Sequence, residues 1–134
     1  MKHRDELLNL LQPLPPAFSR VGLELIKTEQ SSSNLAGDTT TFIFINRQTS
    51  IQLELSIGEK YESITTWISK KDSSYHLQEY MNFKKRSNEY NQKFFNVGKL
   101  KYLDNLCYII DNELGDIITG NKWEDIPRDW MGYK

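Results

Sequence analysis

The chain has 134 residues, 38% of them apolar and 26% charged, with 17 Lys and Arg against 18 Asp and Glu for a formal charge of −1. That balance predicts one globular α+β domain, with enough apolar residues to bury a core and no overall field to hold a nucleic-acid backbone. No run of about 18 apolar residues is present to cross a membrane. The single cysteine, Cys107, cannot close an internal disulfide, which fits a reducing cytoplasm.

The opening residues MKHRDELLNLLQPLPP carry Asp5 and Glu6 and lack the apolar run of a signal peptide. They predict a short helix over residues 4–11, with Leu7, Leu8, Leu10 and Leu11 inward, stopped by Pro13, Pro15 and Pro16. Residues 21–27 alternate with period two and read as a strand. Residues 28–38, TEQSSSNLAGD, are polar and rich in turn formers, so a mobile loop is expected there.

Residues 39–46 are β-branched and aromatic on both sides, as in a central strand. After a turn at 46–48, residues 49–57 place Ile51, Leu53, Leu55 and Ile57 on one side and Ser50, Gln52, Glu54 and Ser56 on the other. Gly58-Glu59 suits a two-residue type II′ hairpin, because glycine tolerates the positive φ of its first position. Residues 60–68 would return, with Leu53 opposite Ile64 and Thr49 opposite Ile68. The expected sheet is therefore an antiparallel meander of four strands. Its second face collects Tyr61, Ser63, Thr65 and Trp67 beside Gln52, Glu54 and Ser56, and a tight turn before Thr49 would add Ile43 and Ile45.

Ser73 or Ser74 can cap a helix running to about Tyr90, packed through Leu77, Tyr80, Met81 and Phe83, with Lys84, Lys85 and Arg86 in solvent. Residues 91–98 link it to the dominant element, a helix over residues 99–120. Leu100, Leu103, Leu106, Cys107, Ile110, Leu114, Ile117 and Ile118 recur there at three- and four-residue steps. At 1.5 Å per residue the helix would be about 30 Å long. Gly120 suits the left-handed position that closes it. A thiol on this stripe packs as a small hydrophobe. The tail after it keeps Trp123, Ile126, Trp130 and Tyr133, too apolar for a free end, and is expected to dock.

No HxxxH or CxxC spacing, Gly-rich phosphate loop or GxSxG elbow appears, so the residues name no metal, cofactor or catalytic group. Two sets remain as candidates for contact with another protein. Tyr61 and Trp67 share a mixed sheet face with Glu54, the composition of a binding patch, although a covering tail or helix would make them a second small core. Asp111, Glu113 and Asp116 gather near the carboxyl end of the long helix. The dipole there disfavours negative charge and calls for a cation, from a partner or from Arg128 and Lys122.

The stretches SIGEKYESITTWI (56–68) and LGDIITGNKWEDIP (114–127), with a helix, a meander and then helices ending in a tryptophan-bearing tail, resemble small cytosolic immunity proteins of bacterial polymorphic toxin systems. The resemblance implies a protein that neutralises a cognate toxin by direct contact, without catalysis or cofactor. The near-neutral charge departs from the acidic inhibitors of basic nucleases. Two other classes fit the size: a secretion-type chaperone for an effector, whose strands are interrupted by a helix after the third, and a small enzyme or ligand carrier with a cavity between sheet and helices. Whichever holds, the helix face is testable. Leu106→Ala should cost about 2 to 5 kcal/mol in denaturant unfolding, as buried leucine truncations do.

Overall fold

The structure is a computed structural model that describes residues 2–33, 37–59, 64–71, 73–86, 88–120 and 123. In chain order its elements are α1 (Lys2–Leu11), α2 (Pro16–Arg20), β1 (Leu23–Ser33), β2 (Gly37–Asn46), β3 (Ile51–Gly58), β4 (Ile64–Lys70), β5 (Ser73–His76), α3 (Leu77–Phe83), α4 (Gln92–Phe95) and α5 (Lys99–Ile109). A π-helical segment, Ile110–Leu114, and α6 (Gly115–Ile118) continue α5. The strands form one antiparallel sheet in the order β1-β2-β3-β4-β5. The fold is thus α+β with a meander of five strands rather than the expected four.

Strand alternation decides where the core lies. Ile51, Leu53, Leu55 and Ile57 of β3, Phe42 and Phe44 of β2 and Ile68 of β4 all turn to one side and are at most 2% exposed. The helices answer with Leu7, Leu11, Phe18, Leu77, Met81, Leu106, Ile109, Ile110, Leu114 and Ile118, which join the same buried cluster. Each such side chain stabilises the fold by about 1.5 to 3 kcal/mol through the apolar area it removes from water. Thr66 of β4 and Tyr102 of α5 share a buried hydroxyl hydrogen bond of 2.7 Å that fixes the long helix against the sheet.

Four expectations are corrected. Residues 28–33 are strand, because β1 stays paired with β2 as far as Ser33↔Gly37 and Ser32 donates a hydrogen bond to Asp38 near the tip. A bulge at Ile26, between Leu25 and Lys27, breaks the alternation that would have revealed the strand. The Gly58-Glu59 hairpin is not formed either. Leu53 faces Ile68 and Ile57 faces Ile64, a register four residues away from the expected one. Because four is even, every side chain keeps its face.

The helix expected over 73–90 begins only at Leu77, because residues 73–76 pair with β4 as a fifth strand. It stops at Phe83 in a Schellman closure. Lys85 N–H donates to Asn82 O (3.0 Å) and Arg86 N–H to Met81 O (2.8 Å), with Lys85 at φ 61° where glycine is usual. Within the long helix, Leu103, Leu106, Ile110, Leu114, Ile117 and Ile118 are buried as expected, but Leu100 is 64% exposed and Tyr102 and Ile109 join the core. Cys107 is half-buried, and Phe94 and Phe95 belong to α4 instead of a plain linker. Of the tail, Trp123 stacks on Tyr75 at 4.7 Å between ring centroids; Ile126, Trp130 and Tyr133 lie outside the described residues.

Two turns tie these layers together. The side chain of Asn46 donates to Val21 O (2.7 Å) and accepts from the backbone N–H groups of Gln48 (2.9 Å) and Thr49 (3.1 Å). Gly22, at φ 74°, passes so close that a Cβ there would stand 3.0 Å from the Asn46 amide nitrogen. Thr49 in turn donates to Ile118 O (2.9 Å), and Gly120, at φ 91°, leaves room for its methyl group. Asn46→Ala strands three backbone groups at a buried site, so denaturant unfolding should show a loss of about 2 to 4 kcal/mol. Asn46→Asp, which keeps the acceptor, should lose less.

Candidate functional site

All described helices lie on the core side of the sheet, and the other face carries the residues that alternation sends outward. One row crosses all five strands through the pairs Lys27↔Ile43, Ile43↔Glu54, Glu54↔Trp67 and Trp67↔His76. Beside it run Glu29↔Thr41, Thr41↔Ser56 and Ser56↔Thr65. Trp67 is 40% exposed, whereas Ile43 next to Glu54 is 8% exposed. His76 meets the indole edge-to-face at 5.3 Å from the β5 side. On the β3 side a groove of about 350 Å³ opens, lined by Glu29, Ser31, Thr41, Glu54, Ser56 and Trp67. On its floor the Thr41 and Ser56 hydroxyls bond each other at 2.8 Å.

Trp67 and Glu54 therefore stand together, as expected, with Ile43 and Ile45 on the same face. Tyr61 lies outside the described residues. The acidic trio does not join them. Asp111 accepts two hydrogen bonds from Arg20 of α2, 3.1 Å from Nε and 2.7 Å from Nη2. Glu113 accepts from Arg86 Nη2 at 2.8 Å and from the Tyr90 hydroxyl at 3.0 Å. Asp116 is exposed on α6, away from the groove lining. The cations that the helix dipole calls for come from α2 and from the segment after α3. Lys122 and Arg128 lie outside the described residues.

These ion pairs bear on charge but offer no reacting group. Arg20 is held more firmly protonated by Asp111 through the hydrogen bond and its Coulomb attraction. Burial, and then Asp104 and Asp111, push the Cys107 thiol up, so it is protonated and weakly nucleophilic near neutral pH. Among the described residues no group of three His, Cys, Asp or Glu side chains could hold a metal ion. No described helix is long and apolar enough to cross a membrane. A second groove, about 490 Å³, runs along α5 between Tyr90, Phe94 and Tyr108, with Glu89, Lys101 and Asp104 at its rim.

No protein-family model matches the chain, and neither does any curated protein or solved structure. The site is accordingly read from its own residues. Sequence reasoning missed Glu29 and His76 as members of the open face. Glu29 sits beyond the bulge, and His76 stood at the start of an expected helix instead of the end of a strand. Pairing β5 with β4 was the signal that could have placed His76: the ladder begins at Lys70↔Ser73, only three positions apart, and reaches Trp67↔His76, a local hairpin that the reading of Ser73 or Ser74 as a helix cap passed over.

The Glu113 cluster has a titration signature. Burial first, and then the hydrogen bond to Glu113, push the Tyr90 hydroxyl up to about 12. An unfolded tyrosine ionises near 10, so the neutral phenol favours the folded state. That contribution is complete below pH of about 10 and is lost as pH rises through about 12. In the ultraviolet phenolate titration, Tyr90→Phe should remove a step near that value. Denaturation of the variant should also lose less stability than wild type across that window.

Proposed function

We propose that this chain is a non-catalytic binding protein that grips another protein with the open face of its sheet, in the manner of a cytoplasmic immunity protein that neutralises a bacterial toxin. The observation that carries the reading is Trp67: a large amphipathic side chain 40% exposed on β4, the fourth strand of a five-strand row, on a face that no described helix covers. Tryptophan set among partly buried neighbours is the kind of residue that dominates protein interfaces. Glu54 and His76 flank it with polar groups, while the partly exposed Ile45 adds apolar area. Such a face is suited to contact with another protein.

Asp111, Glu113 and Asp116 have a lesser part in this reading. Asp111 and Glu113 are already bonded to Arg20 and Arg86, and a partner would have to displace those cations to use them. Tyr61 is retained as a contact candidate by its place in the sequence next to the β3–β4 hairpin.

Trp67→Ala should weaken the partner by on the order of 2 kcal/mol, roughly 30-fold, and leave thermal stability nearly unchanged. The measurement is affinity capture from extracts of the source organism, quantified by competition with wild-type protein. A melting temperature lowered by many degrees, with undiminished affinity of the folded fraction, would instead make Trp67 part of a covered second core.

A further inference from the structure

We propose that the groove beside Trp67 receives an arginine side chain of the partner protein, its guanidinium between Glu54 and Glu29 and its flat face against the indole. This rests on the reading of the open face as a docking surface, and adds the chemistry of what docks there.

The charge of the groove is one-sided. Two carboxylates line it, and no lysine or arginine does among the described residues. Glu54 has no ion pair or hydrogen-bond partner among those residues. Glu29 has only Lys27, at 3.9 Å, with both side chains more than half exposed, a contact an incoming cation displaces at little cost. Three carboxylates elsewhere have close cations, Asp111 with Arg20, Glu113 with Arg86 and Glu24 with Arg47, at 2.6 to 2.8 Å. The second groove, along α5, already holds Lys101 beside Glu89 and Asp104. Of these two grooves, the one beside Trp67 has acidic but no basic residues in its lining.

Its shape selects among cations. Glu29 on β1 and Glu54 on β3 stand on either side of β2 and two residues apart along the strands, so their backbones are about 12 Å apart and the two side chains can lean toward each other. That span takes a planar guanidinium with a charge-assisted hydrogen bond of about 2.8 Å at each end. Beside the Thr41 and Ser56 hydroxyls, which bond each other, and the polar side chains of Gln30 and Ser31, the carboxylates are the charged acceptors offered to an incoming donor. Trp67 supplies an aromatic wall, and His76 supports it from the far side. Guanidinium is weakly hydrated and stacks on such a wall, whereas a compact ammonium keeps its water. A metal ion is disfavoured by the donor set, which has two carboxylates and no third metal-binding side chain.

The test uses full-length protein and three capped peptides of alternating threonine with arginine, lysine or glutamate. Binding is read by calorimetry and by the amide and indole NMR signals. The arginine peptide should bind and move the Trp67 indole signal, the lysine peptide should bind at least threefold more weakly, and the glutamate peptide should not bind. Glu54→Gln, nearly isosteric on an open face, should weaken the arginine peptide about tenfold without shifting the melting temperature; Lys101→Ala should leave it unchanged. Equal binding of arginine and glutamate peptides, an unaltered affinity in E54Q, or shifts confined to the Tyr108 groove would each overturn the inference. Partner capture separates the two levels. If Trp67→Ala weakens capture and Glu54→Gln does not, the docking face stands and the arginine assignment falls. If Trp67→Ala leaves capture intact, the docking face fails and the assignment resting on it fails too.

Discussion

A strand of alternating apolar and polar residues has one side that water disfavours, and here five neighbouring strands turn that side the same way. Burying it is the constraint from which the rest of the architecture follows. It draws α1, α2, α3 and the α5–α6 helical run to a single side of the sheet and leaves the reverse to the outward-pointing residues. The helical run bears most of the burden, presenting Leu103, Leu106, Ile109, Ile110, Leu114 and Ile118 over its length. Its π-helical segment carries Ile110 and Leu114 to the core while Asp111 and Glu113 turn toward Arg20 and Arg86.

Charge is distributed according to the same division. On the helix layer, carboxylates near the end of the long helix meet guanidinium groups from elements distant in sequence, and the network is closed within the chain. On the open face, Glu54 is left to solvent beside an exposed indole. The contrast gives the two acidic regions different roles. One holds α2 and the segment after α3 against the helix, and the other is free for an outside group. The sheet is thus a rigid platform whose rear is committed to the core and whose front is committed to nothing within the described residues.

Much of this division was readable from residue order. The alternation in β3 identifies both faces, and because alternation depends only on parity, Glu54 and Trp67 come out on the same open face despite a register four residues off; their pairing as direct neighbours comes only with the observed register. The three- and four-residue spacing likewise exposes the long helix. What stayed hidden was set by contacts that local patterns do not encode. Residues 73–76 are a different case: they look like a helix cap, although the strand they pair with ends only three positions before them. The left-handed Lys85 ends α3 with no glycine to announce it. Arg20 reaches Asp111 across 91 positions and Arg86 reaches Glu113 across 27, so neither cation could be assigned by proximity in sequence.

Ile26 is the extra residue of β1, 41% exposed on the outermost strand of the sheet. Excising it would leave Leu25 and Lys27 on their present sides and the ladder otherwise regular, so the insertion does nothing for the burial pattern. What it does is bend and twist an eleven-residue border whose unpaired amides and carbonyls would otherwise invite another chain to stack alongside. A sheet with one face uncovered by any described helix thereby denies its rim to its own siblings, and fibre growth is discouraged.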